Sequence, residues 1–138
     1  MPDEDEIVGL WSVEAGYYSA MEDEVFAFWS DGVGFVEYAR PYTSDCIDFR
    51  WTRLSAEVLR LEPFRSTYVE DGDVLEGELP AAEDVTYRIV EEDRPLEGAT
   101  MPVMYLSASF VTFDDQGHGL ATRTPSERLR DPDFRLGE

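Results

Sequence analysis

Residues 25–38 have the sequence VFAFWSDGVGFVEY, in which two runs rich in valine and aromatic residues flank a short polar segment. The polar segment is Ser30-Asp31-Gly32, and an Asp-Gly pair between two such runs is a strong signal for a tight β-hairpin. Gly32 can adopt a positive φ at no steric cost, as such a turn requires. The stretch therefore predicts two antiparallel strands, over residues 25–29 and 33–38.

Similar patterns extend along the chain between residues 7 and 123. At residues 46–52 the apolar Ile47, Phe49 and Trp51 alternate with polar residues, which is typical of a strand with one buried and one wet face. Comparable runs, separated by Asp, Gly, Pro and Ser clusters, occupy residues 7–13, 57–62, 64–69, 85–89, 104–113 and 120–123, whereas residues 74–84 are ambiguous. The pattern predicts an all-β chain, an antiparallel up-and-down β-barrel or half-barrel of about eight strands.

The C-terminal segment has a helix-start signature instead. Thr124 is a suitable N-cap residue, Pro125 occupies the first helical position, and Glu127 follows three residues after the cap. Asp131-Pro132 would end the helix, because the residue before a proline disfavours helical geometry. We expect one short helix over about residues 125–131.

Composition limits the class of protein. The 138 residues include 31 acidic and 11 basic side chains, and the formal net charge is −20. Such a charge makes nucleic acid and anionic membrane surfaces poor partners. No apolar segment approaches the roughly 18 residues of a membrane helix, which argues against an integral membrane role. Length and composition fit a single domain over residues 7–138, preceded by a disordered acidic tail at residues 1–6.

Cys46 is the single cysteine, so no internal disulfide can form. At the start of a predicted strand, it is expected to be a small buried hydrophobic residue rather than a nucleophile. The first residues lack the basic start and apolar run of a secretory signal, and we expect a cytoplasmic protein.

Gly9-Leu10-Trp11, in the first predicted strand, resembles the Gly-x-Trp opening of lipocalin-like (calycin) barrels. Residues 28–34, FWSDGVG, are similar to the strand, Asp-Gly turn and strand of bacterial lipocalin-like domains. Phe49-Arg50-Trp51 followed by Leu59-Arg60-Leu61 is similar to their next hairpin. The resemblance covers roughly residues 7–123 and implies a single lipocalin-like β-barrel.

The resemblance also implies a role for two particular residues. In the family, the tryptophan closes one end of the barrel and packs against a basic residue near the end of the last strand. Here these residues would be Trp11 and Arg123.

Signatures of catalytic, metal and cofactor sites are absent from the sequence. His118 is the only histidine and there is no Gly-x-Ser-x-Gly elbow, so a serine-hydrolase site is unsupported. His118 lies between two glycines and is predicted to be a solvated loop residue, with a ligand or general base as the alternative. Asp114, Asp115 and His118 match no calcium or zinc spacing, and no glycine-rich loop offers a phosphate site. We predict no catalytic residues, no metal and no cofactor.

Three functions are compatible with these features. The first is a non-enzymatic binding protein that holds a small apolar or amphipathic molecule inside the barrel. Its predicted ligand-binding residues are Trp29, Phe49, Trp51, Tyr87, Phe110 and Arg123, the last as a closing or anchoring residue. The same aromatic residues could instead form a packed core without a cavity.

The second function is an acidic interaction protein. Glu70, Asp71 and Asp73 are the predicted partner-binding residues, and Glu76 and Glu78 follow closely, so we expect a strongly negative face. This face could bind a basic protein, as an immunity protein binds a nuclease-type toxin, or mimic nucleic acid, or serve only for solubility. The third function is a small barrel enzyme, an isomerase or cyclase, acting through shape and a few polar groups.

Overall fold

A computed structural model describes residues 6–12, 23–39, 44–70, 72–93, 100–107 and 117–131 of the chain. These residues form nine strands, namely β1 (Gly9–Ser12), β2 (Asp23–Phe28), β3 (Val33–Ala39), β4 (Ser44–Ser55), β5 (Val58–Glu70), β6 (Asp73–Glu76), β7 (Glu83–Asp93), β8 (Thr100–Ser107) and β9 (His118–Thr122). A 3-10 helix spans Glu127–Arg130. The prediction of an all-β chain is confirmed. Within the described residues, no helix is long and apolar enough to cross a membrane.

The nine strands belong to one antiparallel sheet, in the order β4-β3-β2-β1-β9-β8-β7-β5-β6. A further pairing between β4 and β5 closes eight of the strands in a ring, and β6 lies beside the last part of β5. Within the described residues, β8 and β9 share only the pairs Val103↔Gly119 and Met104↔His118. The expected antiparallel arrangement of about eight strands is therefore present, but the ring is not a complete barrel.

The predicted hairpin at residues 30–32 joins β2 to β3. Gly32 has a φ of 89°, in the left-handed region, and its N–H donates to Trp29 O over 3.1 Å. Trp29 N–H donates to Val33 O over 2.9 Å. Gly32 O accepts from Trp51 N–H over 2.8 Å, which connects the turn to β4.

Most of residues 57–69, predicted as two separate runs, forms the single strand β5. The register to β4 shifts between Asp48 and Phe49, and Phe64 has no partner residue on β4. Pro63 lies at this bulge, where the missing N–H of a proline does least damage to the ladder. The ambiguous segment, residues 74–84, contains most of β6 and the start of β7.

The C-terminal helix begins later than predicted and is a 3-10 helix. Its N-cap is Ser126, whose Oγ accepts from Arg128 N–H over 3.3 Å. Thr124, the predicted cap, instead donates its N–H to Thr122 Oγ1 over 3.1 Å. A single turn is too short for α-helical hydrogen bonds to prevail over the tighter pattern.

The two faces of the sheet carry separate apolar clusters. The inner face, which is turned toward the inside of the ring, holds a core that includes Trp11, Phe26, Phe28, Phe49, Trp51, Leu59, Leu61, Tyr87, Met104 and Leu106. The outer face holds a smaller cluster of Ala27, Trp29, Phe35 and Cys46. Cys46 is buried, as predicted for a small hydrophobic residue. We call the end of the ring where β2 and β9 begin the Glu24 end, and the end where β9 finishes the Arg123 end.

Candidate functional site

A row of mostly polar residues crosses the inner face at the Glu24 end of the ring. Direct cross-strand pairing places five residues of β2 to β6 side by side: Glu24, Tyr38, Asp45, Tyr68 and Leu75. We call these five residues the inner row. Glu24 shares its face with Phe26, because successive side chains of a strand point to opposite faces. The inner face therefore changes from an aromatic core to carboxylates and phenols toward this end.

Glu24 and His118 form a buried polar pair beside the core. His118 Nε2 lies 3.0 Å from Glu24 Oε1, and the side chains of the histidine and the glutamate are 1 % and 0 % exposed. Phe26 packs edge-on to the imidazole, with ring centroids 5.3 Å apart. When Glu24 is ionised its oxygens only accept hydrogen bonds, so Nε2 carries the proton.

His118 Nδ1 is also buried, and it has no hydrogen-bond partner within the described residues. With the proton of a neutral imidazole on Nε2, Nδ1 is an acceptor. A buried polar atom left without a partner costs about 1–3 kcal/mol, so each such atom requires an explanation. A hydroxyl or N–H group of a ligand at Nδ1 would remove this cost.

The prediction that His118 is a solvated loop residue is wrong. His118 begins β9 and pairs with Met104 of β8. The glycines on either side of it favour turns and obscured the strand. One signal was available, since Leu120 lies two residues further along the same face and packs against the inner core. Glu24 was missed for a related reason, because it precedes the apolar run from which β2 was predicted.

At the Arg123 end, the guanidinium of Arg123 covers Trp11, with 5.6 Å between its central carbon and the centre of the ring system. Arg123 Nη1 donates to the backbone oxygens of Glu6 and Val8. Trp11 Nε1 donates to Ile7 O over 2.9 Å. This is the contact that the lipocalin-like resemblance implies, and it connects the segment before β1 to the residue after β9.

Tyr87 belongs to a polar network at the same end. Arg53 Nη2 donates to the Tyr87 hydroxyl, which donates to Glu6 Oε1 over 2.9 Å. Burial raises the pKa of Tyr87, and the hydrogen bond from Arg53 opposes that effect. Glu6, the last residue of the tail predicted at residues 1–6, therefore has a defined hydrogen-bond partner.

Three predicted ligand-binding residues lie together in the inner core. Phe49, Trp51 and Tyr87 are 0 %, 9 % and 4 % exposed. Phe28 contacts two of them, with its ring centroid 5.6 Å from that of Phe49 and 5.9 Å from that of Trp51. Trp51 Nε1 donates to Trp29 O over 2.9 Å. The polar atoms of Trp51 and Tyr87 therefore already have protein partners.

The structure places the other predicted ligand-binding residues elsewhere. The side chain of Trp29 lies in the outer cluster, where the guanidinium carbon of Arg130 is 4.5 Å from its ring centre. Arg123 is exposed at its end of the ring, and Phe110 lies outside the described residues. Trp29 is therefore not brought together with the aromatic residues of the inner core.

Two of the three predicted partner-binding residues face each other at the tip of the β5–β6 hairpin. Glu70 pairs with Asp73, and both are exposed. Gly72 forms the turn with a φ of 83°. Asp71 lies outside the described residues. The described part of the predicted acidic face is thus an exposed hairpin tip.

Two grooves are formed by described residues away from the Glu24–His118 pair. One of about 420 Å³ lies beside β7 and β8 and is lined by Glu57, Thr86, Tyr87, Arg88, Tyr105 and Ser107. The other, of about 380 Å³, lies beside β5 and β6 and is lined by Phe64, Arg65, Ser66, Glu76, Gly77 and Leu79.

Among the described residues, no group of three or more histidine, cysteine, aspartate or glutamate side chains is placed to hold a metal ion. Comparisons with models of known protein families, with curated proteins and with solved structures found no match.

Proposed function

We propose that the chain is a non-enzymatic binding protein that holds a small amphipathic molecule inside the ring of strands, at the Glu24 end. The observation that carries the proposal is the buried His118 Nδ1, which has no hydrogen-bond partner among the described residues and lies next to the aromatic core. Binding pockets combine apolar surface with a few well-placed polar groups, and the inner row offers this combination.

The other end of the ring supports the same proposal. The Trp11–Arg123 contact agrees with a lipocalin-like barrel, and small eight-stranded barrels can hold one ligand. The residues that would line this site differ from those predicted from the sequence. Phe26, which packs against His118, and Phe49 next to it would form the apolar floor, while the polar contacts come from the inner row and His118. Trp51 lies beside the β2–β3 turn at the other end of the ring.

The chemistry of the inner row defines the class of ligand. His118 Nδ1 accepts one hydrogen bond, so the ligand offers a hydroxyl or N–H donor. Tyr38 and Tyr68 are half-buried and provide aromatic surface with a polar edge. Glu24 and Asp45 disfavour a negatively charged head group. We therefore expect a neutral or cationic amphipathic molecule.

A fluorescence titration with N-phenyl-1-naphthylamine tests the proposal, because this neutral probe is apolar and has a single N–H donor. We expect saturable binding of one probe per chain. The Glu24→Leu/His118→Leu double variant removes the acceptor and leaves neither polar partner buried alone. It should bind the probe about 3- to 10-fold more weakly, which corresponds to the loss of one hydrogen bond.

Two controls distinguish binding at this site from non-specific hydrophobic binding of the probe. Arg60→Ala alters an exposed ion pair with Asp84 and should bind the probe like the wild type. 1-Phenoxynaphthalene has nearly the same shape but lacks the N–H. It should bind the wild type more weakly than the naphthylamine does, and it should bind the double variant as tightly as the naphthylamine does. Binding that is non-saturable, or unchanged in the double variant, would contradict the proposal.

A second candidate is the acidic interaction protein. The observation in its favour is the exposed pair of Glu70 and Asp73 at the tip of the β5–β6 hairpin. Reversing these two charges tests it. The variant should bind a basic protein more weakly, and its remaining binding should depend less on salt concentration.

A further inference from the structure

We propose that the outer edge of β6 is a docking site for an extended basic segment of a partner protein, which adds to the sheet as a further antiparallel strand. This inference deepens the second candidate function, the acidic interaction protein, and does not depend on the proposed ligand at the Glu24 end. It rests on the backbone, the charges and the exposed apolar side chains of β6.

The backbone of β6 leaves hydrogen-bonding groups available on one side. Gly77 N–H donates to Ser66 O over 2.9 Å, so in this antiparallel ladder Gly77, Leu75 and Asp73 direct their backbone groups toward β5. Val74 and Glu76 alternate with them and direct their N–H and C=O groups away from β5. Within the described residues, no strand pairs with that side of β6. The edge therefore offers two donors and two acceptors to an incoming strand.

The charges of β6 select a basic partner. All four residues of β6 are exposed, and Asp73 and Glu76 begin and end the strand. Glu70 and Glu78 lie next to them and are also exposed, on a chain with a net charge of −20. Basic side chains opposite Asp73 and Glu76 would form favourable cross-strand pairs.

The same charges disfavour a second copy of the chain as the occupant. Two β6 edges can pair antiparallel only with their outward-directed residues opposite one another, Val74 with Val74 or Val74 with Glu76. In the first register the two Asp73 side chains are diagonal neighbours on one face, and in the second the two Glu76 side chains are. Like charges at these diagonal positions repel, and each copy carries a net charge of −20. Acidic edge strands of this kind discourage self-association, while a basic strand meets no such repulsion.

The apolar residues of β6 define the rest of the pattern. Val74 and Leu75, the two central residues, are 44 % and 40 % exposed. Phe64 and Leu79 are also exposed, and they border the groove of about 380 Å³ beside β5 and β6. A partner segment with the order basic, apolar, apolar, basic would match the edge residue for residue.

An NMR titration with a capped peptide containing Arg-Val-Val-Arg flanked by threonines tests the inference. We expect saturable shifts of the amide resonances of Val74 and Glu76, and an apparent Kd that rises with ionic strength. The same peptide with glutamate in place of both arginines should not bind.

Backbone variants separate strand addition from simple charge attraction. Val74→Pro removes an outward N–H and leaves the hydrogen bonds to β5 in place, and prolines are tolerated on edge strands. It should weaken peptide binding about 3- to 10-fold, whereas Val74→Thr, which keeps the N–H, should not. Amide resonances of the inner core report whether each variant is folded.

Charge variants complete the test. Asp73→Asn/Glu76→Gln should weaken binding and reduce its salt dependence, while Glu57→Gln, in the turn between β4 and β5, should leave both unchanged. Equal binding by Val74→Pro and Val74→Thr would overturn the inference. So would shifts located away from β6, or pairing of the chain with itself through this edge.

Discussion

The Glu24–His118 pair leads to a prediction about stability, because both side chains lie within the fold. In the Glu24→Leu variant, His118 loses the partner of Nε2 while its Nδ1 already has none among the described residues. In the His118→Leu variant, a carboxylate that is 0 % exposed loses its hydrogen bond to the imidazole. Removing one member of a buried polar or charged pair costs about 2–5 kcal/mol, and we expect each single variant to lose this much.

The double variant should behave differently. Replacing both members of a buried pair with apolar residues of similar size is often neutral or stabilising. We therefore expect the free energy of unfolding of the Glu24→Leu/His118→Leu protein to lie within about 1 kcal/mol of the wild type, which gives a coupling free energy of at least about 3 kcal/mol.

Urea unfolding followed by tryptophan fluorescence measures the free energy of unfolding of the wild type, the two single variants and the double variant. Since the slope for a domain of this size is about 1–3 kcal/mol/M, each single variant should have its midpoint lowered by about 1–2 M. The exposed Arg60–Asp84 pair, with side chains 44 % and 55 % exposed, is a matched control, with a coupling of about 0.2–1 kcal/mol. If the losses of unfolding free energy in the two single variants add up to the loss in the double variant within about 0.5 kcal/mol, Glu24 and His118 are not coupled and the account of the buried pair is wrong.

Three further predictions concern the rest of the fold. A Cβ at Gly34 would lie 2.5 Å from the backbone oxygen of Ala27, so Gly34→Ala should lower the free energy of unfolding by about 1–3 kcal/mol in urea titrations, and a neutral result would contradict the tight strand contact. Arg123→Ala removes a cation–π contact and two donated hydrogen bonds and should lower the thermal midpoint more than Arg60→Ala does; equal losses would refute that role. Because burial raises the pKa of Tyr87, its neutral form stabilises the fold below about pH 10, and this contribution is lost as pH rises through the folded pKa. The free energy of unfolding should therefore fall more steeply as pH rises above about 10 in the wild type than in Tyr87→Phe, and parallel curves would show that this phenol does not contribute.

The parts of the fold that the sequence predicted are those set by local rules. The Asp-Gly turn at residues 30–32 is one example, because its conformation depends on Gly32 itself. The contact between Trp11 and Arg123 was not predicted by a local rule, because only the lipocalin-like resemblance implied it. Cys46 is buried, as its place at the start of a predicted strand suggested.

The parts that were missed depend on distant neighbours. Glu24 and His118 are 94 residues apart in sequence, and neither has a local pattern that reveals a pair. β6 lies in a segment without clear alternation, and it exists because Gly72 lets the chain turn back along β5. Trp29 is a different kind of error, because it alternates with Ala27 and not with the inner residues Phe26 and Phe28, so the pattern itself places its side chain in the outer cluster.

Native mass spectrometry of the protein purified gently from its own cells tests the central claim most directly. The wild-type chain should carry an added mass of a few hundred daltons, from a molecule with a hydroxyl or N–H donor. In the Glu24→Leu/His118→Leu variant, expressed and purified in the same way, a larger fraction should be found as the bare 15.7 kDa chain. An equal occupied fraction in both proteins, or a bare wild-type chain that also fails to bind the naphthylamine probe, would contradict a ligand site at the Glu24 end of the ring.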